Sequence, residues 1–298
     1  MEDTPLISVI VLSYNRPQYL VHALESIVAQ SYKNLELIVV DNHSERTQEV
    51  VRLVKAFPEA RLVCNSANVG FTGGMNTGLR LASGRYVLLT EDDIILDPHC
   101  IERLSEYLNT DPQAGLASGV MYNCSDQKIR CAGGLVVLGS TYRKTIYGAG
   151  QRDTGQFREP FEVNYIPGAF IIARTDVLQA LGGFRESFFM YFEDTDLCLR
   201  VQRMGYRIVV VPTAKVQHWD PTENNPVDWI EVHKVKNFLS VYTLHARFRV
   251  LPVFFLRYVA IDLAKNLFRD PRRARSLWLG MCRYLPLIPT LMRQRYAQ

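Results

Sequence analysis

Glu91, Asp92 and Asp93 stand side by side in "VLLTEDDIILDP", between two apolar runs. Like charges repel, and burial makes the repulsion costlier. Acids that follow a strand are held by water or by a cation, and a hard divalent cation carrying a nucleoside diphosphate takes oxygen ligands of this kind. A second cluster, "FEDTDLCLR", holds Glu193, Asp194 and Asp196, with Arg200 one helical turn after Asp196. At a helix N-terminus such acids meet the dipole favourably, and Asp196 with Arg200 has ion-pair spacing. Glu193 and Asp194 leave the apolar run "FFMY". A carboxylate on such a wall gains proton affinity and can serve as a general base.

Two further signals carry chemistry. "NVGFTGGMNTG" (68–78) has four glycines in eleven residues, ahead of a helical pattern. It is a flexible turn or a loop whose amides approach a phosphate or sugar closely. Its spacing is neither the dinucleotide fingerprint nor a Walker A loop. His218, in "KVQHWDP", follows a strand-like run. A metal-ligand role for it needs a partner such as Asp93 nearby.

The elements that must position these residues alternate along the first half. Strand-like runs at 6–13, 35–41, 60–65, 85–92 and 114–122 are separated by helical patterns at 16–30, 46–57, 73–83 and 99–109. Such alternation predicts a right-handed, mainly parallel α/β sheet with ligands at the carboxyl ends of its strands. The polar clusters fall there: Ser13-Tyr14-Asn15, Asp41-Asn42, Asn65 to Asn68, and the three acids. Residues 123–165 read as a hairpin and loops. A strand and helix follow over 170–184, with Thr175 as N-cap and Gly182 or Gly183 as stop. The run 188–205 is apolar, then acidic, then helical, and 207–212 is one more strand.

The 298 residues are 48% hydrophobic and 21% charged, which fits a large globular domain with an appendage. No signal peptide is read in "MEDTPLISVIVLSYN". The six cysteines form no CxxC pair, so buried free thiols are expected rather than a zinc site. The net charge of +4 divides unevenly. Residues 234–298 hold 13 basic and 2 acidic residues; the remainder holds 21 and 28. A basic tail on an acidic body seeks an anionic surface. Arg257, Asp262 and Lys265, then Arg283, Pro286 and Pro289, interrupt the tail's apolar runs. Peripheral contact with an anionic membrane is expected rather than a spanning helix.

In this order the segments resemble family 2 glycosyltransferases, which have the GT-A fold. "SVIVLSYNRPQYLVHALESIVAQSYKNLELIVVDNHS" resembles the family's opening, and "NVGFTGGMNTGLRLASGRYVLLTEDD" the stretch that ends in its metal motif. "PGAFIIARTDVLQALGGFRESFFMYFEDTDLCLR" is similar to the acceptor-side segment of rhamnosyltransferase-like members. The resemblance covers roughly the first 220 residues and implies a GT-A catalytic domain over 1–220; charge and apolar pattern make 221–298 a basic amphipathic helical segment. It implies inverting transfer of a sugar, L-rhamnose from dTDP-rhamnose or a sugar from a UDP donor, to a glycan or lipid-linked hydroxyl at the cytoplasmic face of the membrane. Asp194 would be the base, with Glu193 and Trp219 on the acceptor side. Mg²⁺ or Mn²⁺ would sit on Glu91, Asp93 and His218. Ser13, Tyr14, Asn15, Arg16, Asp41, Asn68, Gly70, Asn76 and Asp92 would contact the nucleotide sugar. A nucleotidyltransferase would need a glycine-rich loop after the first strand, where "SYNRPQYL" has none. A nucleic-acid-binding module would leave both acidic clusters idle, and the body's negative balance would repel nucleic acid. No nucleic-acid partner is expected.

Overall fold

The computed structural model describes residues 4–219, 227–261, 265–266 and 269–296. The first four strands are β1 (Ile7–Ser13), β2 (Leu35–Asp41), β3 (Ala60–Cys64) and β4 (Tyr86–Glu91). They pair in parallel in the order β3-β2-β1-β4. Helices α1 (Pro17–Val28), α2 (Thr47–Val54) and α3 (Gly70–Leu79) make the crossovers. The chain therefore steps one way from β1 to β3 and then returns to the other side of β1. That reversal opens a crevice at the carboxyl ends of β1 and β4, the usual ligand position in such sheets.

After β4 come a short strand β5 (Ile94–Leu96), helix α4 (Cys100–Thr110) and strand β6 (Ala114–Asn123). Residues 123–165 form β7 (Ile129–Cys131), the separate hairpin β8 (Gly134–Leu138) and β9 (Tyr142–Ile146), and β10 (Phe161–Val163). β11 (Phe170–Arg174) lies antiparallel between β4 and β6. It leads into α5 (Thr175–Ala180) and α6 (Glu193–Arg203). β12 (Arg207–His218) is longer than the expected strand and pairs in parallel with β6, carrying His218 to the crevice end.

The strands alternate across the sheet. Ile7, Val9 and Val11 face α1, α2 and α4; Ile10 and Leu12 face α3, α5 and α6. A third core joins Phe188 to α7 (Val227–His245), α8 (Leu251–Phe255), α9 (Pro271–Tyr284) and α10 (Ile288–Tyr296).

Several expectations are corrected. Thr175 is the first helical residue of α5 and not its cap; its hydroxyl donates to the Gly84 carbonyl at 2.7 Å. Gly182 and Gly183 do stop that helix, both at φ +70. The segment after 220 is helical over its described residues. α7 is buried from Val235 through Thr243 and packs on α6, with Lys236, Asn237, Ser240 and Thr243 among its buried residues. Of the six free cysteines, Cys100, Cys131 and Cys198 are buried, whereas Cys64 and Cys282 are exposed. Arg257 lies in a π-helical turn, Leu256–Ile261. Asp262 lies outside the described residues. Among the described residues no helix is long and apolar enough to cross a membrane.

Candidate active site

The crevice gathers the first acidic cluster with residues from β1 and β12. Arg16 precedes α1, where Pro17 occupies the first turn and gives up no needed hydrogen bond. Its guanidinium reaches Glu91 at 3.4 Å, Asp92 at 2.9 Å and Asp93 at 2.8 Å. The cation that holds the three acids is therefore supplied by a residue three crossovers earlier in the chain. His218 Nε2 lies 3.4 Å from Asp93 Oδ1, which is the juxtaposition its sequence position required. Burial pushes the Asp92 carboxyl up to about 8, against the pull of Arg16, and the neighbouring Asp93 adds to the rise. Burial also opposes ionisation of Asp93, but His218 and Arg16 outweigh it and hold that carboxyl below the usual range.

Around this cluster the loop after β1 is tied to the loop after β2. The Tyr14 amide donates to Asp92, and the Asn15 amide to Ser44 Oγ at 2.8 Å. Asn15 has φ 59, and its side-chain oxygen accepts from the Glu45 amide at 2.7 Å. Asp41 is buried at the end of β2. Its Oδ2 accepts from Thr47 and from the Ser44 amide. Among the described residues, Ser13 Oγ, Asp41 Oδ1 and Glu193 Oε2 are buried without a hydrogen-bond partner at this end of the fold, and Asp92 Oδ1 and Asp93 Oδ1 are met only by the ion-pair contacts from Arg16 and His218. Buried polar atoms are normally satisfied, so such a concentration marks where a ligand belongs.

Those oxygens provide a test of the expected metal. Among the described residues no group of three or more His, Cys, Asp or Glu side chains could hold an ion alone. Mg²⁺ and Mn²⁺ do not demand that; Mg²⁺ typically takes one or two carboxylates and completes its shell with phosphate and water. Asp93 Oδ1, buried and beside His218, fits such a site, with Asp92 Oδ1 next to it. Glu91 sits on the rim, half-buried and facing Arg16.

The glycine segment works differently from the expected phosphate loop. Gly73, Gly74 and Gly78 are inside α3. A Cβ on Gly78 would stand 2.4 Å from Ile10, and one on Gly74 2.4 Å from Leu12, so these glycines let α3 lie close on β1. Gly70 has φ +74, and a Cβ there would meet Phe189 at 2.5 Å. Its N–H donates to Asn68 Oδ1 and its carbonyl accepts from Asn42. Asn68 Oδ1 also accepts from Asn42. Asn76, expected as a donor contact, turns inward. It exchanges two hydrogen bonds with the Phe184 backbone and donates to Glu186. Trp219, expected on the acceptor side, lies over α1 with its ring 5.6 Å from that of Tyr19, and its backbone amide donates to the Asp93 carbonyl.

The second acidic cluster divides three ways. Asp196 is fully buried and bonded to Arg200, Arg185 and His245. Burial resists its ionisation, but these partners hold its carboxyl far below the usual range. Glu193 is buried beside Gly168, and that burial, with Asp194 adjacent, raises its carboxyl well above the usual range. Asp194 is half-buried. Its Oδ2 accepts from the Tyr165 hydroxyl at 2.6 Å and its Oδ1 from the Thr195 amide at 2.6 Å. The Lys144 ammonium, on β9, lies 3.6 Å from the Tyr165 ring centre. The apolar wall thus acts on Glu193, where the sequence pointed to both acids. Tyr165, Lys144 and the α7 residues Lys236 and Asn237, which hold the turn ahead of α6, carried no signal in sequence.

A glycosyltransferase-like family 2 model matches residues 4–230, and the chain belongs to that family. Its sheet has the GT-A fold. The Staphylococcus aureus enzyme TarS, solved as residues 1–349 with UDP-GlcNAc, superposes with a TM-score of 0.62 at 16% identity, over 98% of this chain and 92% of that one. A glucosyl-dolichyl phosphate glucuronosyltransferase of Haloferax volcanii is 26% identical over 90% of this chain and 88% of its own length. An N-acetylglucosaminyl-diphospho-decaprenol L-rhamnosyltransferase of Mycobacterium tuberculosis is 25% identical over 82% of this chain and 86% of its own. An uncharacterized glycosyltransferase of Haemophilus influenzae is 37% identical over 113 residues; there the chain spans only 34% of the relative's length. It spans 26% of the protein y4gI of Sinorhizobium fredii.

Lys236 offers a test of this geometry through pH. Its ammonium is buried and donates to the Ser187 carbonyl at 2.6 Å; burial and Arg283 push its pKa down from 10.5 to about 8. Between these values the unfolded chain holds a proton that the native one has released, so this group makes stability rise with pH. Below pH 8 both states are protonated and the cost of the buried charge is fully present. Wild type is expected to gain stability relative to Lys236→Met between pH 7 and pH 9.5 in denaturant titrations. A constant difference between the two would contradict the burial of the charge.

Proposed function

We propose that this chain is an inverting glycosyltransferase that moves a sugar from a nucleoside diphosphate donor to an acceptor hydroxyl. The observation that carries this reading is the convergence of two acidic clusters, with the unsatisfied buried oxygens of Ser13, Asp41 and Glu193, at one end of a GT-A sheet. In single displacement one base faces the acceptor, and the leaving diphosphate needs its charge neutralised. Asp194 is the base in this reading. It is half-exposed and oriented by Tyr165, whereas Glu193 is buried and its burial raises the carboxyl well above the usual range. Asp93 and His218, with Asp92 and Glu91 beside them, would hold Mg²⁺ or Mn²⁺, which supplies charge neutralisation to the departing diphosphate. Mn²⁺ accompanies GDP-Man in a Pyrobaculum calidifontis mannosyltransferase of the same fold, with a TM-score of 0.57. Ser13, Asp41 and the Tyr14–Arg16 segment line the nucleotide side.

The donor we favour is dTDP-L-rhamnose, supported by the rhamnosyltransferase relative. A UDP-sugar is the second reading, supported by an Escherichia coli UDP-Glc-dependent relative, 25% identical over 90% of this chain. Both relatives act on diphosphate-linked polyprenyl sugars by their names, which supports a lipid-linked acceptor, met in this reading at the cytoplasmic face. The tail suits that place. α9 packs inward through Ala274, Leu277 and Tyr284 and exposes Trp278, Leu279, Arg272, Arg275 and Arg283. Apolar side chains interleaved with cations enter an anionic interface favourably, at about 1 kcal/mol per basic residue.

Three measurements decide these points. Nucleoside diphosphate release from a panel of nucleotide sugars is expected to need Mn²⁺ or Mg²⁺ and to stop in excess EDTA. Asp93→Ala is expected to lose most activity while remaining folded by circular dichroism. Full release in EDTA removes the metal from the scheme.

Asp194→Asn is expected to lower kcat by about 10²–10⁴-fold, the range for a general base, with donor affinity retained. A far larger loss in Glu193→Gln would exchange the two roles.

Vesicle flotation is expected to recover the chain with anionic but not neutral lipid, less so in high salt and in Arg272→Ser/Arg275→Ser. Equal recovery with both lipids, or none with either, returns the tail to packing alone.

A further inference from the structure

The turn that delivers Glu193 and Asp194 is strained. Phe189, Tyr191 and Phe192 have φ of 66, 70 and 66, a left-handed region costly for residues with a Cβ. Each such residue costs on the order of 1–3 kcal/mol and persists only where its surroundings impose it. Phe192 is the residue immediately before α6, so its backbone sets the direction in which Glu193 and Asp194 leave.

The constraint comes from α7, about 45 residues further on. Asn237 is 1% exposed. Its Nδ2 lies 2.8 Å from the Phe188 carbonyl, 2.7 Å from that of Met190 and 2.8 Å from that of Tyr191. Two N–H groups serve three acceptors, which fixes the orientation of the amide. Its Oδ1 makes no hydrogen bond among the described residues, a cost for a buried atom. Lys236 adds the bond to Ser187. On the opposite side the Thr72 amide donates to the Phe189 carbonyl at 3.1 Å, and Gly70 leaves room for the Phe189 ring. A buried polar residue that accepts an unsatisfied oxygen in order to grip three successive parts of a strained turn is placed for geometry.

We propose that Asn237 is a positioning residue for the Glu193–Asp194 pair: through the carbonyls of Phe188, Met190 and Tyr191 it holds the left-handed turn that aims α6 at the acceptor. The catalytic half of this proposal rests on the glycosyltransferase reading above; the mechanical half does not.

Asn237→Asp is nearly isosteric and turns a donor into an acceptor facing three carbonyls. Lys236→Met removes the outer grip only and serves should the first variant fail to fold. Hydrogen exchange reads the mechanical half. The Phe189 and Asp196 amides, bonded to Glu186 and Phe192, are expected to exchange about tenfold faster or more in Asn237→Asp, with β1 and β4 unchanged. Transfer kinetics read the other half. kcat is expected to fall about 10²-fold, as misplacement of reacting groups does, with donor Kd within about twofold of wild type. Lys236→Met is expected to move both readouts the same way, by less. Unchanged exchange in the folded variant overturns the clamp. Faster exchange with unchanged kcat, or an equal loss of donor affinity, overturns positioning. A wild-type chain that releases nucleoside diphosphate from no donor overturns the glycosyltransferase reading and positioning with it, while exchange still decides the clamp.

Discussion

A guanidinium among three carboxylates is the interaction on which the crevice depends. Two unit charges about 4 Å apart interact by about 4 kcal/mol at the effective dielectric of a protein's surface layer. Three adjacent acids, two of them buried, could not be closed over by β11 and β12 without a cation of similar worth. Arg16 supplies it, and can do so only because of topology. The reversal of strand order after β3 sets the end of β4 beside the end of β1. Had β4 continued outward from β3, Arg16 would stand three strands away. Burial then sorts the acids. Asp92 is pushed up to about 8, while Asp93, shared by Arg16 and His218, is held low.

The same principle explains the second cluster, with a different distribution of cations. Glu193, Asp194 and Asp196 occupy one helical turn. Asp196 has Arg185, Arg200 and His245 around it and is spent on holding α6 to α7 and to the loop after α5. Glu193 is equally buried with no such partner, and its carboxyl rises instead. The identity of the residues does not distinguish these outcomes; the number of cations that converge on each carboxylate does.

That is also where sequence reading reached its limit. Alternating periodicity exposed β1 to β4, their helices and the carboxyl-end position of the polar clusters, because those patterns are local. The Asp93–His218 meeting could be posed as a question but not answered, since it needs the register of β12 on β6. The glycines of 68–78 misled, because a glycine that lets a helix lie on a strand and one that admits a phosphate look alike in one dimension. Asn76 misled likewise: its amide is consumed by Phe184, more than a hundred residues away. Asn237 and Lys236 sit in a helix without an amphipathic stripe, and nothing local marks them.

The basic tail shows how a charge count divides once the chain is folded. Its surplus reads in sequence as one cationic surface. In the structure part of it turns inward. Lys236 caps carbonyls of the strained turn, and Arg295 donates to the Thr243 and Ala246 carbonyls at 2.5 Å, closing the exposed C-terminal end of α7. Those charges serve backbone acceptors that a helix end leaves open, and they cannot also meet lipid. The outward charges cluster on α9, around Trp278 and Leu279. Exposed cations thus lie beside exposed aromatic surface on a helix whose other face is bound to α7.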